Sequence, residues 1–66
     1  MTITVKSETI NGYYITIEQD KYSNGYKVSI SEVYDGYCGY PISERYYGTL
    51  AQAKRRYGVL RREARQ

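Results

Sequence analysis

The sequence predicts an α+β domain: a three- to four-stranded antiparallel β-meander packed on one face by a single C-terminal α-helix. Three observations predict it. Asn11-Gly12 and Asn24-Gly25 each separate runs of alternating apolar and polar residues. Asn-Gly between such runs is the strongest short hairpin signal, because both central residues of a type I′ turn need positive φ. After Gly48 the period changes, and Leu50, Ala53, Tyr57, Leu60 and Ala64 form one stripe on a 3.6-residue helix. The 66 residues suffice for one domain spanning the whole chain, 1–66.

The first strand, about 2–9, alternates Ile3 and Val5 with Thr2, Thr4 and Lys6, the period-2 mark of a half-buried strand. The second, about 13–20, places Tyr13, Ile15 and Ile17 on one face and Tyr14, Thr16 and Glu18 on the other. A turn with Asn24-Gly25 at its tip leads to the third, about 26–33, with Tyr26, Val28 and Ile30 inward and Lys27, Ser29 and Ser31 outward. After Val33 the alternation breaks. Gly36, Gly39 and Pro41 punctuate a loop, followed by a short fourth strand over 42–47 that Pro41 assigns to an edge or a strand start. Thr49 and Gln52 make a capping-box pattern for a helix over about 50–65, and Arg61, Arg62 and Arg65 suit the negative end of its dipole. Gly58 sits in mid-helix at a cost of roughly 1 kcal/mol relative to Ala, read as a mild kink or as the close approach of another backbone.

So short a chain buries only about 60% of its unfolded surface. With one Cys and no His it has neither an internal disulfide nor a histidine-based zinc site, so the core rests on aliphatic residues and the bodies of tyrosines. No apolar run approaches the roughly 20 residues that span a bilayer, and the N-terminus reads as a strand, which predicts no membrane partner. The lone thiol of Cys38 fits a reducing cytoplasm.

The net charge of +3 is unevenly spread. Residues 1–49 carry four basic against six acidic side chains, a balance of −2; residues 50–66 carry six against one, a balance of +5. The helix is therefore the cationic part of a mildly acidic body.

Catalysis is not expected. Without His there is no Ser-His or Cys-His arrangement, the carboxylates are scattered, and no glycine-rich phosphate cradle is present. The sequence thus calls for no catalytic residues, no metal, no cofactor and no small-molecule substrate. Two binding signals stand out. On a helical wheel, Lys54, Arg55, Arg61, Arg62 and Arg65 fall within an arc of about 120°, with Gly58 inside it and the apolar stripe beside it. The excess of Arg favours bidentate contact with phosphate or carboxylate. A solvated charged face is the plain alternative. The second signal is the stretch 33–47, which holds five of the ten tyrosines with the only proline and cysteine. Some of these rings should roof the core, and the rest should form a contact patch of Tyr34, Tyr37, Tyr40 and Tyr47, with Tyr46 or Tyr47 turned inward by alternation.

A three-stranded sheet backed by a C-terminal helix resembles, in topology, the arm-binding domains of tyrosine recombinases and the plant AP2 domain. That resemblance implies DNA binding through a basic sheet face, whereas the sheet segment here is net acidic, so none of the contact residues of those families is carried over. In size and in lacking catalytic residues the chain also resembles small proteins of phages and mobile elements, including anti-CRISPR inhibitors. The expected function is a non-catalytic binding module that docks its basic helix face and tyrosine-rich loop on nucleic acid or a nucleoprotein. The alternatives are an antagonist or adaptor bound to a protein surface, and a structural homodimer pairing through its tyrosine loop or outer sheet face.

Overall fold

A computed structural model describes residues 2–66. Four strands, β1 (Thr2–Ile10), β2 (Tyr13–Asp20), β3 (Tyr26–Tyr34) and β4 (Tyr37–Tyr47), precede one helix, α1 (Leu50–Ala64). The strands form a single antiparallel sheet in the order β1-β2-β3-β4, so the meander is complete and β1 and β4 are its edges.

The core lies between α1 and the two central strands. Ile15, Ile17, Val28 and Ile30 on the sheet meet Ala53, Tyr57, Leu60 and Ala64 on the helix, all buried, with Tyr13, Tyr26, Tyr47, Ile10 and Leu50 packed around them. The eight buried residues are inward ones that the two periods predict. Thr49, in an extended conformation, caps the helix by accepting the Gln52 N–H at 3.3 Å. At the other end the Asn11 side-chain amide donates to the Ala64 carbonyl at 2.9 Å. One turn residue thus serves two elements: Asn11 takes the positive φ its hairpin needs and also satisfies a carbonyl that a helix end leaves without an intrahelical partner. Asn11→Asp keeps a residue suited to the turn but sets a carboxylate against that carbonyl at the negative helix end. The expected loss is about 1–2 kcal/mol of stability in urea denaturation.

Three features differ from the sequence reading. First, the stretch read as a loop is strand. β4 begins at Tyr37, five residues before the expected 42, because Asp35-Gly36 forms a two-residue turn like that of Asn11-Gly12, with both φ angles positive (49° and 83°). Extra residues on β4 shift the register on either side of the Ser31↔Pro41 pair, which is why the alternation is unreadable there. Second, Asn24 has positive φ but Gly25 does not; the turn is a longer loop closed by Asn24 N–H to Asp20 O and Asp20 N–H to Gly25 O, both 2.9 Å. The Tyr22 N–H bonded to the Asp20 carboxylate holds that carboxyl below its ordinary range.

Third, β1 changes phase. The register with β2 slips between Thr4 and Lys6, so Val5 is an extra residue. Ile3 and Val5 are 45% and 40% exposed rather than half-buried, and beyond the bulge the side chains of Lys6, Glu8 and Ile10 lie opposite Ile17, Ile15 and Tyr13 on the helix side.

Candidate nucleic-acid interface

Burial of the helix stripe against β2 and β3 fixes where the charges go. Lys54, Arg55, Arg62 and Arg65 are exposed, and among the described residues none of the four forms an ion pair. Arg61 is different. Its Nε lies against Glu8 Oε1 as an ion pair, although the N–H is not aligned to donate a hydrogen bond, so charge rather than a directed bond holds the contact. The expected five-membered arc is thus four free cations and one tied to β1.

The same Glu8 oxygen accepts the Tyr57 hydroxyl at 2.9 Å, and Lys6 Nζ stands 5.0 Å from the centre of the Tyr57 ring. Burial first, then the hydrogen bond and charge of Glu8, push the Tyr57 hydroxyl up to about 12 against the opposing pull of Arg61. This cluster was not foreseen, because it depends on the β1 bulge that turns Lys6 and Glu8 toward the helix. It also orients the arc: Arg61 places the cationic side of α1 over β1. Arg56 and Glu63, by contrast, line a groove with Ile42 and Ser43 on the β4 side.

The body's remaining carboxylates are partly spoken for. On the outer sheet face Lys27 Nζ lies 3.5 Å from both Glu18 and Glu44. Burial works to lower the Lys27 pKa, but the two carboxylates outweigh it and raise it. That face is mostly polar, as read from the sequence, with Tyr14 and Tyr46 as its aromatic members and Thr16, Ser29 and Ser31 buried.

Gly58 lies within the arc, and the helix runs through it without interruption. Apart from its chain neighbours and the helix's own backbone, no atom of the described residues lies within 4 Å of where a Cβ would sit, so none of them requires glycine there. Gly58→Ala is expected to stabilise the helix by about 1 kcal/mol and raise the melting temperature by about 4–8 °C.

Of the tyrosines expected to form a contact patch, Tyr34, Tyr37 and Tyr40 are 61%, 78% and 96% exposed on the β3–β4 hairpin. Tyr47 is not among them. It pairs with Tyr26 on the helix side and packs on the core, while Tyr46 pairs with Lys27 and stands exposed on the outer face. Alternation left the choice between the two open; pairing with β3 decides it. Cys38 is exposed and free on β4. Among the described residues no cluster of His, Cys, Asp or Glu is arranged to hold a metal ion, and no helix is long and apolar enough to cross a membrane.

Fold and site define a four-stranded α+β domain that carries a cationic helix face beside one sheet edge and an aromatic hairpin at the other. No family model matches the chain, and no curated protein or solved structure matches it significantly.

Proposed function

We propose that this protein is a non-catalytic binding module that docks the outer face of α1 on nucleic acid or on the nucleic-acid component of a nucleoprotein. One observation carries the reading: Lys54, Arg55, Arg62 and Arg65 are exposed together and, among the described residues, have no intramolecular counter-ions, while Glu8, Glu18 and Glu44 pair with Arg61 and Lys27. Clustered like charges of this kind are relieved by an anionic partner. Arg supplies the fork geometry that phosphate accepts. The open position at Gly58, in the middle of the arc, leaves room for a backbone to approach the helix closely.

A second reading, an antagonist or adaptor bound to a protein surface, is favoured by the three exposed tyrosines of the β3–β4 hairpin. Large stiff side chains of this type serve as binding hot spots. The exposed free Cys38 supports a reducing compartment for either function.

Fluorescence anisotropy with labelled single-stranded and duplex oligonucleotides across a salt series tests the first reading. Four phosphate contacts give a slope of log affinity against log salt of about −3 to −4. Affinity independent of salt, or no binding of either oligonucleotide together with retention of a protein partner after nuclease treatment, would overturn it. A Gly58→Ala variant that is more stable yet binds more weakly marks the point of closest approach.

A further inference from the structure

We propose that the β1 edge is a self-association surface, on which a second copy of this chain pairs antiparallel about Ser7 to make a continuous eight-stranded sheet. The pairing stands independently of what α1 binds.

The two sheet edges are not equivalent. β4 is blunted by Pro41, which lacks an N–H, and by the irregularities on either side of it. β1 has no proline and only one bulge, and Ile3 and Val5 near its start remain exposed.

The backbone phase suits a dyad at Ser7. Ile10 and Tyr13 flank the two-residue turn and form its hydrogen-bonded pair, so Glu8 and Lys6 also bond toward β2. Ser7 and Thr9 therefore direct their N–H and C=O groups away from the sheet. About a two-fold axis through Ser7, the two Ser7 residues exchange both backbone bonds and Thr9 meets Val5 of the second copy.

The charges suit the same axis. Lys6 falls opposite Glu8 of the second copy, and Glu8 opposite its Lys6, both on the helix side and both in the close, non-hydrogen-bonded type of pair. A one-residue slip would destroy both matches and put side chains on the wrong face. In this assembly both helices lie on the same side of the sheet.

Sedimentation velocity from micromolar to millimolar concentration, combined with amide hydrogen exchange of the full chain, tests the assembly. A dimer should appear as concentration rises, with exchange slowing selectively at Ser7 and Thr9. Ser7→Pro removes an N–H that takes no part in the chain's own ladder, so it should melt as the wild type does and lose the dimer. Lys6→Glu sets carboxylates against each other and should also lose it. A monomer throughout the range overturns the proposal. So does a dimer that survives both substitutions, or one whose Ser7 and Thr9 amides exchange as fast as in the monomer.

Discussion

Tyr57→Ala is expected to unfold most of the chain at 25 °C. Tyr57 is 2% exposed in the middle of the helix stripe. It fills the space above the sheet, anchors Glu8 through its hydroxyl, and offers its ring to Lys6. Truncating a buried aromatic costs about 3–5 kcal/mol. At about 0.05–0.15 kcal/mol per residue, a chain of 66 residues holds only about 3–10 kcal/mol in total. The loss is thus comparable with the whole stability, and no disulfide compensates, since the single Cys38 is free.

Tyr57→Phe keeps the packing and removes only the hydrogen bond, for about 1 kcal/mol. Urea titrations of the two variants separate the contributions. They also make an alkaline test possible. The folded chain holds the Tyr57 proton more tightly than the unfolded chain does, so this contribution is fully present below a pH of about 10 and is lost as pH rises toward about 12. Lys27, whose pKa is raised by Glu18 and Glu44 despite its burial, acts in the same direction. Tyr57→Phe should therefore make the alkaline fall in stability shallower without removing it. Equal slopes for the wild type and Tyr57→Phe would show that the buried hydroxyl contributes nothing.

Local periodicity explains what could be read without coordinates. The helix ends within one residue of its expected limit, because a stripe of five apolar positions and a threonine cap constrain both its phase and its start. The inward faces of β2 and β3 follow from alternation bounded by a turn. Bulges account for most of the rest. The slip at Val5 has no sequence signature, yet it moves Lys6 and Glu8 to the helix side and so creates the contacts to Tyr57 and Arg61. On β4 the signal was present in Asp35-Gly36, a turn pair as strong as Asn-Gly, but irregular pairing around Pro41 hid the strand that follows. The cationic arc was legible because a wheel depends only on the helical period. Which of its members has an internal partner was not, since Glu8 lies at the far end of the chain.

Arg55→Ala combined with Arg62→Ala is expected to lower affinity for an oligonucleotide about a hundredfold at about 0.1 M salt and to flatten the salt slope by about 2, because each phosphate contact contributes close to one log unit there. These two arginines are exposed, lie farthest around the helix from the buried stripe, and form no ion pair among the described residues, so their loss should leave folding nearly intact. Arg61→Ala is the informative control. Its charge is already opposed by Glu8, so it should weaken binding less than either free arginine while reducing stability more. Tyr37→Ala completes the set: on the hairpin it should matter little if phosphate is the target, but cost about 2 kcal/mol or more if the partner is a protein that buries that ring. A double arginine variant that binds as the wild type does, beside a Tyr37→Ala variant that does not, would move the interface from the helix to the hairpin.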